Sequence, residues 1–309
     1  MSLTHRLRIV FPLLLAMSLS ACLFRSRPAT VRLSNGPLKS ATLPELIGII
    51  NAQAARIQTL NATVNIIAST GGSKKGKITE YQEIKGYILV RKPEMLRMIG
   101  LMPIVRNKAF DMVSNGETFK LWVPPKNKFI VGNNHAIQPS KQPLENLRPQ
   151  HIYDALLLRP INQPGEIAVL EQSNQKIEDP KTKKEILQPD YIVDVIDHGE
   201  QGWYLSRRIS FSRVDLQPVR QRVYDKYGYV ATDATYENFK DYNGVTFPSE
   251  IRIWRPQEEY AVTLIIDKLV INQPLTNDQF VLNQPPGAQV QHLGSAAPST
   301  ASNSSTPPQ

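Results

Sequence analysis

The chain has 309 residues, of which 41% are hydrophobic and 20% are charged. This balance is typical of a globular protein and excludes a collagen, a coiled coil and a fully disordered chain. A single cysteine excludes an intrachain disulfide and a cysteine-rich metal cluster. The formal charge of +9 permits an anionic partner such as lipid headgroups, but there is no basic tract of the kind that binds nucleic acid.

Residues 1–21 have the parts of a bacterial secretory signal peptide. Arg6 and Arg8 form a basic start, and the apolar stretch 9–17 is shorter than the roughly 20 residues that span a bilayer. The sequence LSAC that follows, ending at Cys22, resembles the lipobox of bacterial lipoproteins. The resemblance implies acylation of Cys22, and two or three acyl chains hold a protein firmly on a membrane. Leu23 stands where an aspartate would favour the inner membrane, so the outer membrane is expected. An ordinary signal peptide with an incidental cysteine is the alternative.

The chain after the signal divides by composition. Residues 22–41 have no apolar periodicity, which predicts a flexible tether behind the lipidated cysteine. Residues 42–290 carry the patterned sequence and form the expected domain. The segment 291–309 consists mostly of Ser, Ala, Pro and Thr, which predicts a disordered tail.

Two segments have helical patterns. Thr42 and Glu45 form a capping box, and apolar residues recur at three- and four-residue steps from Leu43 to Leu60, which predicts one amphipathic helix. The second segment, 140–158, contains Pro149 and therefore predicts two short helices. Its apolar side includes Ile152 and Leu156.

The remaining pattern is that of strands. The candidates are 62–69, 78–91, 95–101, 107–114, 117–123, 128–132, 167–172, 190–197, 202–212, 218–226, 229–239, 245–254 and 259–271. Tight-turn signals such as Asn115-Gly116 separate several of them. Their mixed polarity favours an antiparallel sheet whose faces lie in different environments. We expect a mainly β (α+β) fold in which helices cover the concave apolar face of a strongly curved sheet.

Three segments, in order, resemble the LolA/LolB family of periplasmic lipoprotein carriers and receptors. The first is the helix ending in IQTLNA at 57–62 and running into a strand. The second is GYILVRKP at 86–93, followed by the hairpin with DMVSNGET at 111–118 and LWVP at 121–124. The third is FVLNQPPGAQV at 280–290, which is similar to the family's final strand and its exit. The resemblance covers about 42–290.

The resemblance implies an unclosed antiparallel β-barrel, capped by helices, with an apolar cavity for acyl chains. By this resemblance the lipobox places the chain on the LolB-like side: anchored at the periplasmic face of the outer membrane, with lipoproteins as cargo and a soluble LolA-like carrier as an expected partner. A monomer is expected, without cofactor, metal or nucleic acid. Two features depart from the family. Lys92 precedes the proline where arginine is common, and the region 160–215 is long enough for extended strands or a different ligand.

Eight residues are candidates for the cavity. Either Arg91 or Lys92, but not both, can point inward to meet helix carbonyls or a headgroup, because adjacent strand residues face opposite sides. Soft apolar residues suit an irregular apolar ligand. These are Met95, Leu96, Met98, Trp122, Ile152 and Leu156. Ordinary core packing, or solvation at a strand end, is the alternative for each.

No sequence pattern supports catalysis, because the nucleophile elbow, the P-loop and the zinc-protease motif do not occur. Two functions stay open. In the first, the protein binds acyl chains or lipoproteins beneath a movable lid formed by 43–60 and 140–158. In the second, it is a structural or sensory envelope lipoprotein that binds a protein partner. A dry cavity would favour the first function and a polar, filled interior the second.

Overall fold

The computed structural model describes residues 31–32, 38–74, 76–134, 148–162, 164–178, 183, 185–200 and 202–293. The signal peptide, Cys22, most of the tether and the tail from 294 lie outside the described residues. The chain divides into two compact units, residues 36–173 with 190–309 and residues 1–35 with 174–189. In the smaller unit, β1 (Val31–Arg32) pairs in parallel with Ile186 and Leu187. Both described helices and the hydrophobic core belong to the larger unit.

The larger unit is mainly β, as predicted. Its strands are β2 (Thr59–Gly72), β3 (Lys77–Glu80), β4 (Ile84–Arg91), β5 (Met95–Leu101), β6 (Lys108–Ser114), β7 (Thr118–Val123), β8 (Lys128–Asn133), β9 (Ile167–Glu178), β10 (Glu185–Gly199), β11 (Gly202–Ser212), β12 (Pro218–Tyr224), β13 (Val230–Tyr242), β14 (Val245–Arg255), β15 (Tyr260–Ile271) and β16 (Gln289–Leu293). Of β9 and β10, residues 174–178 and 185–189 belong to the smaller unit. β5 and β11 agree with their predicted bounds residue for residue. In β5, regular alternation of buried and half-buried residues explains this agreement, since it specifies both the strand and its buried face.

Two meanders make one unclosed sheet. The strands β10 to β15 follow one another, β2 pairs with β15, and β4 to β8 continue on the other side of β2. β10 and β16 lie far apart in this order, and no pairing joins them among the described residues. Neighbouring strands are antiparallel except that β16 runs parallel to β8. Register shifts in β5, β11 and β15 bend the strands, as bulges do.

Two predicted strands differ from the structure. The single strand 78–91 is two strands, β3 and β4, separated at residues 81–83. The segment 280–290, which resembles a final strand and its exit, also differs: a capping box between Thr276 and Gln279 forms the 3₁₀ turn Asn277–Phe280 at its start. The last strand follows the Pro-Pro-Gly turn as β16 and extends three residues beyond the predicted domain boundary at 290.

Two described helices lie against the sheet. In α1 (Leu43–Arg56), the Glu45 carboxylate accepts hydrogen bonds from the backbone N–H and the hydroxyl of Thr42, at 2.7 and 2.8 Å. The helix ends before the predicted Leu60, because β2 begins at Thr59. In α2 (Pro149–Leu156), the proline occupies the first turn, where its missing N–H costs nothing. Residues 140–147 lie outside the described part. No helix among the described residues is long and apolar enough to cross a bilayer.

One continuous core joins the helices to one face of the sheet. Leu46 and Ile50 of α1 and Ile152 and Leu156 of α2 pack in the same cluster as the inward residues of the strands, such as Leu264. A smaller cluster covers part of the opposite face. It consists of Val113, Phe129, Leu282 and Ala288.

Candidate ligand-binding cavity

An apolar cavity of about 340 Å³ remains on the core face of the sheet. Its volume falls within the roughly 300–1,000 Å³ of small-molecule sites. Strands β2, β4 to β7 and β15 provide its walls, together with the break between β3 and β4. The lining residues are Ile66, Ala68, Ser69, Thr70, Tyr81, Gln82, Ile84, Met98, Ala109, Phe110, Leu121, Val123, Tyr260, Ala261 and Val262. Since the walls are mainly apolar and ordered water needs several polar partners, this space suits an apolar ligand better than water.

A pair of glycines shapes one wall. Gly86 of β4 and Gly100 of β5 lie directly opposite each other. A Cβ atom on Gly100 would meet the Phe110 ring at 2.4 Å, and one on Gly86 would meet the Ile66 side chain at 2.5 Å. The bare backbone therefore lets Phe110 and Ile66 lie across the two strands and form the cavity wall.

The break at residues 81–83 forms a polar edge of the cavity. The Tyr81 backbone N–H still donates to the carbonyl oxygen of Ala68 at 2.9 Å, so the ladder with β2 persists up to this point. Beyond it the chain leaves the ladder until Ile84. The hydroxyls of Thr70 and Tyr81 lie 3.4 Å apart, and the Tyr81 side chain is exposed. The predicted single strand is thus interrupted where the cavity meets solvent.

The turn between β4 and β5 is fastened to both helices. The ammonium group of Lys92 donates to the carbonyl oxygen of Ala54 in α1, and the hydroxyl of Tyr153 in α2 donates to the carbonyl oxygen of Pro93. Burial lowers the pKa of Lys92 and raises that of Tyr153. Of the two basic candidates, Lys92 is therefore the one that meets a helix carbonyl.

Arg91 faces the other way and holds the C-terminal segment. Its guanidinium donates to the carbonyl oxygen of Leu275 at 2.8 Å and to the side chain of Asn277 at 2.5 Å. The same group lies 5.1 Å from the centre of the Phe280 ring. These contacts give Arg91 a structural role away from the cavity.

The remaining candidates separate into three groups. Met98 lines the cavity, and Leu96 lies on the same face of β5 but within the packed core. Met95 and Trp122 lie on the opposite face of their strands, because adjacent residues alternate, and the expectation that they line the cavity is wrong.

Ile152 and Leu156 form the third group. They are buried in the core and do not line the cavity either. Neither helix contributes a described lining residue to the cavity, so these contacts do not confirm the expectation that the helices form its roof.

The sequence analysis missed an apolar tip close to the cavity. The connection between β5 and β6 exposes Ile104 at 99% and Val105 at 61%, and Ala109 and Phe110 of the cavity follow directly in β6. Ile104 has a φ of 70°, which is strained for a β-branched residue and is a feature that clusters at functional sites. The apolar run from Leu101 to Val105 at a hairpin tip is the signal that could have revealed it.

The fold and the cavity together define a mainly β chain whose unclosed curved sheet encloses an apolar space. Solved structures similar to this chain include a LolA superfamily protein from Nitrosomonas europaea, with 12% identity and a TM-score of 0.47, covering 79% of this chain and 99% of that one. A DUF1329 family protein from Desulfovibrio piger has 14% identity and a TM-score of 0.47, covering 77% and 95%. A domain described as an outer membrane lipoprotein-sorting protein from Vibrio parahaemolyticus has 12% identity and a TM-score of 0.43, covering 76% and 95%.

These structures include members of the family that the sequence motifs resemble. No family model matches this chain, and no curated protein matches it in sequence.

Proposed function

We propose that this protein binds acyl chains, free or carried by a lipoprotein, in the apolar cavity, and takes part in placing lipoproteins or lipids in the outer membrane without chemistry of its own. The observation that carries the proposal is the cavity of about 340 Å³ with its apolar walls. Each methylene transferred from water into such a site contributes about 0.8 kcal/mol. An acyl chain therefore gains enough free energy to leave water, and can exchange between this cavity and a bilayer at little net cost.

The tip formed by Ile104 and Val105 gives the cavity a route to a bilayer. Exposed apolar side chains beside basic ones suit a surface of anionic headgroups over an apolar interior. Arg106 and Lys108 flank the tip in sequence. Since β6 leads directly from the tip to the cavity wall at Phe110, a bound chain would have a short path between the protein and the membrane.

A cavity-filling substitution tests the binding site. Ala68 lines the cavity, and Ala68→Phe places a ring in the space that an acyl chain would occupy. We expect the purified full-length variant to lose most of its affinity for a fluorescent fatty acid. Ala231→Phe in β13, outside the cavity, is the matched control and should bind like the parent. Equal binding by both variants, or no binding by the parent, would overturn the proposal and favour the function of binding a protein partner.

We also propose that the helices gate entry by their attachment to the turn at Lys92 and Pro93. Tyr153→Phe removes the hydrogen bond to Pro93 and keeps the ring in the core. If α2 moves during uptake, fatty-acid binding in stopped flow should become faster, whereas Tyr87→Phe on the exposed face of β4 should leave the rate unchanged. Equal rates in all three proteins would show that α2 is only a packed structural element.

The anchoring proposal rests on the sequence around Cys22. Cys22→Ser should leave unlipidated protein in the soluble fraction or as unprocessed precursor, because the acyl chains have no attachment site. Fractionation of cells and mass spectrometry of the N-terminal peptide check this. Recovery of normally lipidated protein in the membrane would contradict it.

A further inference from the structure

A second pocket of about 160 Å³ lies on the core face between β10, β11, β12 and the C-terminal end of α2. It shares no lining residue with the apolar cavity. Apart from Val223, every residue that lines it is polar, and the carboxylates of Asp154 and Asp197 lie among them. At about 30 Å³ for each water, its volume corresponds to roughly five waters, or one small polar molecule.

Two arginines supply positive charge to this pocket. Arg207 is 3% exposed, and its guanidinium donates to Glu166 at 3.0 Å and to the carbonyl oxygen of Arg159 at 2.7 Å. The Arg159 side chain is 59% exposed and lies 3.3 Å from Glu166. Arg207 lies on the same face of β11 as the core residue Ile209. Its guanidinium is therefore in the interior of the protein and not in solvent.

Two buried polar atoms of the pocket have no hydrogen-bond partner among the described residues. They are the Nε of Arg207, which is a donor, and the Oε1 of Gln221, which is an acceptor. Gln221 is also only 3% exposed, and its Nε2 already donates to the carbonyl oxygen of Asp154 at 3.2 Å. A buried polar atom without a hydrogen bond lowers the stability of the fold by about 1–3 kcal/mol. Both atoms therefore favour a ligand that supplies the missing hydrogen bonds.

The other walls favour a cation close to Asp154. The phenol rings of Tyr204 and Tyr224 line the pocket, and aromatic faces attract ammonium groups. Burial raises the pKa of Asp154 to about 6. One oxygen of that carboxylate accepts from Gln150 at 3.1 Å.

We propose that this pocket binds a small zwitterion that carries a primary ammonium and an anionic oxygen, the chemistry shared by phosphoethanolamine and free amino acids. The ammonium donates to Asp154 and to Oε1 of Gln221, and the anionic oxygen accepts from Nε of Arg207 and from Arg159. The unpartnered donor and acceptor carry this assignment, because a simple cation or a simple anion would complete only one of them.

Titration calorimetry at pH 7.5 on the full-length protein tests the proposal with phosphoethanolamine, ethanolamine and inorganic phosphate as probes. Phosphoethanolamine should bind more tightly than either fragment. Asp154→Asn should weaken phosphoethanolamine and ethanolamine by about tenfold or more, the loss expected for one charged hydrogen bond. Arg159→Gln, at a mostly exposed side chain that can be replaced without disturbing the fold, should weaken phosphoethanolamine and leave ethanolamine unchanged.

Asp267→Asn is the matched control, because Asp267 is exposed in β15 and lies outside the pocket. It should bind every probe like the parent. If a short-chain phosphatidylethanolamine binds as well as phosphoethanolamine, the ligand is a lipid headgroup. If glycine binds and the short-chain lipid does not, the ligand is a free zwitterion. Absence of binding by every probe, or affinities unchanged by both Asp154→Asn and Arg159→Gln, would overturn the proposal. Neither result depends on fatty-acid binding in the apolar cavity.

Discussion

The apolar cavity and the polar pocket lie on the same face of one sheet and differ in the side chains at inward positions. Around the cavity these positions hold residues such as Ile66, Ala68 and Met98, and paired glycines give the larger side chains room. Around the polar pocket, Arg207 and Gln221 occupy equivalent inward positions. The ladder is interrupted at 81–83 beside the cavity, and the register between β10 and β11 shifts beside the polar pocket. The inward side chains decide the polarity of each space.

The largest expected effect comes from breaking the ion pair beside the polar pocket. Glu166→Gln leaves the Arg207 charge buried without its counter-ion, and removing one partner of a buried pair costs about 3–5 kcal/mol. Glu171→Gln is the control, because Glu171 pairs with Arg208 near the surface, where such a pair contributes about 0–1 kcal/mol. Urea unfolding checks both. Equal losses would show that the pair at Arg207 is no more important than a surface contact.

A glycine substitution tests the wall of the apolar cavity. Gly100→Ala forces the Phe110 ring to move, and overpacking of this kind costs about 1–3 kcal/mol and should narrow the cavity. Gly48→Ala in α1 meets no atom within 4 Å and should instead stabilise the protein by about 0.5–1 kcal/mol. Thermal unfolding measures the two opposite shifts. If Gly100→Ala is neutral and leaves fatty-acid affinity intact, the glycine pair does not shape the cavity.

The stability of the polar region should depend on pH through Asp154. Its pKa is raised from 3.8 to about 6, mainly by burial and also by Glu94, while Gln150, Arg159 and Arg207 act in the opposite direction. The folded protein therefore holds this proton more tightly than the unfolded chain, and the free energy of unfolding should fall as pH rises from about 4 to about 6.

Asp154→Asn should flatten this part of the pH profile, because asparagine does not titrate. Denaturant unfolding at pH values between 4 and 7 compares the variant with the parent. A parallel decline in both proteins would assign the pH dependence to other groups.

The smallest effect on stability is expected at the exposed tip beside the apolar cavity. Ile104→Ser removes no buried contact and should change the free energy of unfolding by less than about 0.5 kcal/mol. It should nevertheless reduce sedimentation with vesicles that contain anionic lipid, measured in the Cys22→Ser background so that no anchor contributes. Unchanged sedimentation would show that the tip does not contact the membrane.

Local patterns predicted most of the strands, and long-range contacts account for what they missed. Alternation placed β5 correctly, and Pro149 marked the start of α2. The pairing of β16 with β8 joins segments about 160 residues apart, and no local pattern encodes it. The sequence could not show whether Arg91 or Lys92 meets a helix carbonyl, because this depends on the direction of the chain at the end of β4. In the structure, the carbonyl oxygen of Ala54 lies beside Lys92.

The two binding spaces were harder to predict than the strands. Apolar residues of the cavity have the same pattern as core residues, and only the glycine pair and the small Ala68 distinguish a space from a packed core. The polar pocket gathers Asp154, Asp197, Arg207 and Gln221 from separate segments. Asp197 lies two residues before the end of β10, paired with Tyr204 of β11.

The most direct test of the central claim is lipid extraction from full-length Cys22→Ser protein, purified from the soluble fraction of its host without added lipid, followed by mass spectrometry. Because the variant has no covalent acyl group, every acyl chain detected is held by the fold. We predict acyl lipid that co-purifies in stoichiometric amounts, is depleted by Ala68→Phe and is retained by Ala231→Phe. Protein that carries no acyl lipid, or equal amounts in both alanine variants, would contradict the assignment of the apolar cavity as an acyl-chain site.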